Sequence, residues 1–235
     1  MMKIIAHRGY RAKYTENTMT AFRKAIQSGA DGLELDVHLS LDGELVVFHD
    51  EDFRRLAGRE GLIKNMTYDE IKKIGLQRKL IRKERAPLLQ EVLELVQDKE
   101  LLLNIEIKAV TEGMLEERLV ALLSRYSLRH VVISSFHPEC IVRVKERAPE
   151  IETALLYSKY IDQPWLLQER FLFDAIHTDT NYTSKAYAEL IQSYGLPVRI
   201  YTVNKERDLS YWLDSAVDAV ITDEVELAVK MNKEK

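Results

Sequence analysis

The chain has 235 residues, 46% of them hydrophobic and 31% charged, with a formal net charge of −4. That is an ordinary globular composition, and its interleaved signs exclude the clustered positive face of a broad nucleic-acid-binding protein. A single cysteine, Cys140, excludes an internal disulfide and points to a reducing compartment.

The N-terminus reads Met1-Met2-Lys3-Ile4-Ile5-Ala6-His7-Arg8, an apolar run too short for a signal peptide. No stretch approaches the roughly 20 apolar residues of a membrane span, so a cytoplasmic protein without a membrane span is expected. The first strand-like run is Lys3–Ala6. Met19, Phe22, Ala25 and Ile26 then mark one buried helical face, and Ser28-Gly29 supplies a stop. Glu16 and Asn17, just before it, are equally candidates to cap that helix or to touch substrate.

The second run is Gly32–Val37. A further run, Leu45–Phe48, follows too closely for a parallel crossover, and Asp42-Gly43 between them is a strong hairpin signal. A two-residue turn at Asp42-Gly43 pairs positions whose numbers sum to 85, which sets His49 opposite Asp36. Residues from about 50 to 86 predict a small helical excursion rather than a second domain. Thr67 and Glu70 there have capping-box spacing, and the basic stretch Arg78–Arg85 reads as a solvated face.

The remaining runs are Leu101–Ile107, His130–Ser135, Glu152–Tyr157, Asp174–His177, Pro197–Val203 and Asp218–Thr222. Most are nearly continuous in apolar residues, as suits parallel strands buried on both faces. Tyr187, Leu190, Ile191 and Tyr194, then Leu209, Trp212 and Leu213, mark helical faces between them. With Leu45–Phe48 set aside, eight strands alternate with helices, which predicts one TIM-type (β/α)8 barrel over residues 1–235, near the lower end of that fold's usual size.

Barrel enzymes place their sites at the C-terminal ends of the strands. His7-Arg8-Gly9 ends the first run, Glu34 and Asp36 share a face of the second, His49-Asp50 closes the hairpin, and Glu106 and Lys108 share a face of the next. Three carboxylates at one mouth repel unless a cation or proton intervenes, and an all-oxygen donor set suits one divalent cation, Mg²⁺ or Ca²⁺. His38, His130, His137 and His177 are read as non-catalytic, although His137 follows a strand end. Asp179 and Asp223 are read as loop caps, and Cys140 as buried and inert.

His7-Arg8-Gly9, Glu16-Asn17-Thr18, Glu34-x-Asp36, His49-Asp50 and Glu106-x-Lys108 resemble, in order and spacing, the motifs of the glycerophosphodiester phosphodiesterases. Tyr201-Thr202-Val203-Asn204 and Ile221-Thr222-Asp223 extend the likeness over nearly the whole chain. The sequence departs from the pattern at Thr15, where Pro is usual, at Tyr201, where Trp is common, and after Asp223, where Glu224-Val225-Glu226 replaces a frequent Pro. The resemblance implies a phosphoric diester hydrolase that releases glycerol 3-phosphate and an alcohol. It implies Glu34, Asp36 and Glu106 as metal ligands, His7 and His49 as general acid and base, and Arg8, Lys108, Tyr201 and Glu16 as phosphate or substrate contacts. The alternatives are a lysophospholipase D-like enzyme acting on lipid phosphodiesters and a silent barrel that only binds phosphodiesters.

Overall fold

The computed structural model describes residues 2–76 and 84–235. Among the described residues nine strands form: β1 Lys3–Ala6, β2 Gly32–Leu39, β3 Leu45–Val47, β4 Leu102–Ile107, β5 Val131–Ser135, β6 Glu152–Tyr157, β7 Ala175–Asp179, β8 Val198–Tyr201 and β9 Ala219–Thr222. All except β3 run parallel, and β1 pairs with both β2 and β9, so the eight close on themselves as a (β/α)8 barrel. β3 pairs antiparallel with the outer end of β2.

Strand alternation divides the residues between two environments. Ile5, Leu102, Val132, Ala154, Ala175, Ala219 and Ile221 form the core inside the barrel. Residues of the opposite parity, such as Leu33, Leu35, Ile105 and Ile133, join the larger core under the helices. Glu34, Asp36 and Glu106 share parity with the inner set and so face the barrel axis.

Helices Met19–Gln27, Leu89–Val96, Met114–Leu123, Pro138–Arg147, Lys185–Ser193, Glu206–Leu213 and Val225–Lys233 cover the outside. Between β6 and β7 only short turns, Pro164–Leu167 and Gln168–Phe171, intervene. Among the described residues no helix is long and apolar enough to cross a membrane. The short helices Arg54–Ala57 and Tyr68–Ile71 lie over a separate small core of Val46, Phe48, Phe53, Ile63, Ile71, Ile74, Leu76 and Ala86. Thr67 and Glu70 make the capping box. Of the basic stretch Arg78–Arg85, residues 78–83 lie outside the described residues; Arg85 is ion-paired to Glu91 at 2.6 Å.

Three expectations are corrected. The hairpin pairs Val37 with Val47 and Leu39 with Leu45, so paired numbers sum to 84 and the register differs by one residue. The turn has three residues, Leu41-Asp42-Gly43, closed by Ser40 N–H donating to the Glu44 carbonyl at 3.0 Å. Gly43 sits at φ +81°, the left-handed residue that a three-residue hairpin needs. Phe48, not His49, is therefore level with Asp36, its N–H donating to the Asp36 carbonyl at 3.0 Å. His49 reaches the barrel mouth beyond the strand's end.

The first helix is capped by Thr18, whose hydroxyl accepts from Ala21 N–H at 3.2 Å, rather than by Glu16 or Asn17. The helix simply starts later than either. On Lys185–Ser193 the buried residues are Ala188 and Ile191, while Leu190 and Tyr194 are exposed. Tyr194 stacks on Trp165 instead, with ring centroids 4.1 Å apart.

Candidate active site

The mouth of the barrel holds a cavity of about 170 Å³ lined by His7, Arg8, Glu34, His49, Glu106 and Lys108 on its polar side. Asn104 also lines it, with Phe136, Leu156, Tyr201, Thr202 and Ile221 supplying the other wall. The structure thus brings together, around one cavity, most of the residues singled out from the sequence. Asp36 sits among them, fully buried. His137 is not among the lining residues; it precedes the helix that starts at Pro138, and its neighbour Phe136 lines the cavity instead.

Glu34, Asp36 and Glu106 each offer an oxygen within 4.8 Å of the others. Burial pushes the Glu34 carboxyl well above the usual range, and the Asp36 and Glu106 charges add to it. Burial, with the Asp36 charge, pushes Glu106 up to about 7, against the opposing pull of Lys108. Lys108 Nζ lies 2.6 Å from Glu106 Oε1 and 3.6 Å from Asp36 Oδ1, and Arg8 Nε lies 3.2 Å from Asp36 Oδ2. Two side-chain cations do not balance three carboxylates.

The outer oxygens are held by the protein. Asn17 Nδ2 donates to Asp36 Oδ2 at 2.7 Å, and the backbone N–H of Arg8 donates to Glu34 Oε2 at 2.8 Å. Arg8 reaches this with a left-handed backbone at φ +54°, a conformation that costs an L-residue about 1–3 kcal/mol. Gly9 follows at φ +76°, where a Cβ would lie 2.8 Å from the Ala21 carbonyl carbon, so the turn requires glycine. Asp36 Oδ1 is buried with no hydrogen-bond partner among the described residues. Buried, all-oxygen, electrostatically underbalanced and with one orphaned oxygen, this donor set fits a hard divalent cation.

Each imidazole at the mouth rests on a carboxylate. His7 Nδ1 lies 2.7 Å from Asp223 Oδ1, and His49 Nδ1 lies 2.6 Å from Asp50 Oδ1. Burial raises both carboxyls, but hydrogen bonds outweigh it and hold both below their ordinary values: from His7 to Asp223, and from Arg55 and His49 to Asp50. An ionised carboxylate only accepts, so Nδ1 carries the proton and Nε2 is left for the cavity. Burial lowers the pKa of both histidines, more than their neighbouring carboxylates raise it.

Asp223 is the functional residue that the sequence reading passed over. Asn204 holds it, donating from Nδ2 to Oδ2 at 2.8 Å and accepting the Asp223 N–H at 2.8 Å. A signal for it exists: in a closed barrel the last strand lies beside the first, and Ala6 pairs with Thr222. The residues that follow, His7 and Asp223, are then level. Asp179, read the same way, does act as a loop cap, accepting from Asn181 N–H at 2.7 Å. His38 donates from Nε2 to the His49 carbonyl at 3.0 Å, and His177 contacts Arg199 inside the barrel.

Glu16 is placed differently from a substrate contact. It is 5% exposed, and three arginines hold its carboxylate. Arg8 Nη1 (2.8 Å) and Arg55 Nη2 (2.6 Å) donate to Oε1; Arg11 Nε (2.8 Å) and Arg55 Nη1 (3.0 Å) donate to Oε2. Four bonds fill the accepting capacity of a carboxylate. Tyr201, at the end of β8, keeps its hydroxyl buried with no partner among the described residues, and its ring meets Phe136 edge-on at 6.2 Å.

A barrel with an acidic cluster, two carboxylate-backed imidazoles and two cations at its C-terminal mouth has the parts of a metal-assisted phosphodiester hydrolase. Residues 7–227 match the model of the glycerophosphoryl diester phosphodiesterase family. A glycerophosphodiester phosphodiesterase from Caldanaerobacter subterraneus subsp. tengcongensis is 37% identical over 234 residues, 97% of this chain and 96% of that one. The crystal structure of a Thermotoga maritima glycerophosphodiester phosphodiesterase superposes with a TM-score of 0.81 at 31% identity, covering 98% of each chain. An Oleispira antarctica phosphodiesterase, solved in complex with the product sn-glycerol-3-phosphate, gives a TM-score of 0.90 at 25% identity, covering 99% of this chain and 97% of that one. The chain belongs to the glycerophosphoryl diester phosphodiesterase family.

Proposed function

We propose that the protein hydrolyses glycerophosphodiesters to glycerol 3-phosphate and an alcohol, assisted by one divalent cation, Mg²⁺ or Ca²⁺. The observation that carries this is convergence: three buried carboxylates within 4.8 Å of one another, on the same cavity as His7, His49, Arg8 and Lys108. Family membership and the activity named for the Caldanaerobacter relative support the substrate class. The product held by the Oleispira enzyme supports the product assignment.

Glu34, Asp36 and Glu106 would hold the cation, which when bound neutralises charge on a non-bridging phosphate oxygen. Arg8 and Lys108 bind the same phosphate, the first through its fork of donors and the second as a point charge. One of His7 and His49 takes a proton from the attacking hydroxyl through Nε2. The other, protonated, gives its proton to the leaving alkoxide as the P–O bond breaks. The attacking hydroxyl belongs either to water or to the substrate's own glycerol. Tyr201 offers its unpartnered hydroxyl to the glycerol or alcohol group.

In this reading the chain is one catalytic domain working in the cytoplasm, with residues 50–76 and 84–86 folded onto the barrel. The isolated bridge between Val46 and Leu88 and the Thr20–Glu84 hydrogen bond at 2.8 Å support the single domain. The lone buried thiol of Cys140 fits a reducing compartment. The test is glycerol 3-phosphate release across a panel of glycerophosphodiesters. Release from at least one supports the reading, and hydrolysis of none, with metal supplied, refutes it.

One observation favours a second reading, a lipid phosphodiesterase. An open groove of about 840 Å³ runs between the hairpin tip and residues 110–121, with Leu41, Val110 and Met114 exposed along it. A lysophospholipid turned over faster than its deacylated counterpart would select this reading.

A further inference from the structure

The two carboxylates that hold the histidines are linked, through two arginines, by one buried residue. Asp223 receives Arg11 Nη1 at 3.2 Å, and Asp50 Oδ2 receives Arg55 Nε at 2.7 Å. Both arginines end on Glu16. A continuous series of contacts therefore runs from His7 through Asp223, Arg11, Glu16, Arg55 and Asp50 to His49. It joins the loop after β1, the loop after β9 and the helix Arg54–Ala57. Arg8, on the phosphate side, donates to the same carboxylate.

We propose that Glu16 is a positioning residue that fixes the orientation of both imidazoles at once, and that Arg11 and Arg55 are its separate arms to His7 and His49. Its geometry leaves it no direct contact with a substrate. All four accepting positions are taken, and the group is buried, so it has nothing to offer a substrate. Through Arg55 it also ties the segment after the hairpin, which brings Asp50 and His49, to the barrel's first loop. Loss of residues that orient metal ligands through hydrogen bonds costs about 10- to 100-fold, and the same scale is expected for this series of contacts.

The inference rests on the proposed roles of His7 and His49, but its first test needs no turnover. In ¹⁵N-detected spectra of the full-length protein, both rings should appear as the Nδ1–H tautomer. Arg11→Lys should disturb the His7 signals alone, Arg55→Lys the His49 signals alone, and Glu16→Gln both together. On sn-glycero-3-phosphocholine, Glu16→Gln should lower kcat about 100-fold with KM within about twofold. Unchanged imidazole signals in Glu16→Gln would overturn the proposal. So would a raised KM at constant kcat, which marks a substrate contact. If Glu16→Gln does not fold, the two lysine variants decide: selective loss at one ring each supports the proposal, and equal effects on both rings overturn it. A wild type that shows the tautomers but hydrolyses nothing refutes the proposed function and leaves the positioning intact.

Discussion

Asn17 donates its side-chain amide to one oxygen of Asp36 at 2.7 Å, while the other Asp36 oxygen is buried without a hydrogen-bond partner among the described residues. The amide fixes one oxygen of the carboxylate that clusters with Glu34 and Glu106. Asn17 itself adopts a left-handed backbone, φ +54°, and its N–H donates to the Arg8 carbonyl at 2.9 Å. Asn17→Ala should therefore weaken cation affinity about 10- to 100-fold, read by calorimetric titration of metal-stripped protein. Affinity equal to wild type would mean that Asp36 is oriented by something else.

Stability without metal should depend on pH in a defined direction. Glu34 and Glu106 have folded pKa values raised by burial first and by neighbouring carboxylates next, Glu106 to about 7. A raised folded pKa means that the folded state holds protons that the unfolded chain releases. The associated stability is complete below the unfolded pKa, about 4.3 for Glu, and is lost as pH rises through about 7. Melting temperature in EDTA should fall across that interval, and added Mg²⁺ or Ca²⁺ should restore most at the high end. A melting temperature in EDTA that stays flat from pH 5 to 8 would count against the cluster's mutual repulsion.

His7→Ala and His49→Ala should each cut turnover by about 10²- to 10⁴-fold with the fold retained. A nitrophenyl leaving group needs little protonation. The variant lacking the acid should recover much of its rate on that substrate, and the variant lacking the base should not. This assigns the two roles. Equal recovery in both, or no loss on the natural diester, would remove the two-histidine mechanism.

Gly43→Ala should lower stability by about 1–2 kcal/mol, because an L-residue there is forced into the left-handed region. The added methyl meets Arg118 at 3.5 Å, an ordinary contact, so the cost is in the backbone. For a chain this long the melting temperature should drop roughly 2–8 °C. An unchanged melting temperature would argue against the three-residue turn.

The strand runs were legible because parallel strands buried on both faces write nearly continuous apolar sequence, and the carboxylates because residues two apart share a face of a strand. The hairpin was legible, but its register was not: Asp42-Gly43 serves equally at the centre of a two-residue turn or at the end of a three-residue one. Asp223 was hidden because a lone acid after a strand looks like a cap until the barrel closes and sets it beside His7. Glu16 was singled out, but its grip by three arginines was hidden by distance in sequence, since Arg55 arrives 39 positions later. Leu190 and Tyr194 misled because helical spacing does not say whether a neighbouring element covers that face.

The most direct test is glycerol 3-phosphate release from sn-glycero-3-phosphocholine by protein dialysed against metal-free buffer. With excess EDTA no product should form, and Mg²⁺ or Ca²⁺ should restore release in wild type but not in a Glu34→Gln, Glu106→Gln double variant. Full release in EDTA would contradict the account.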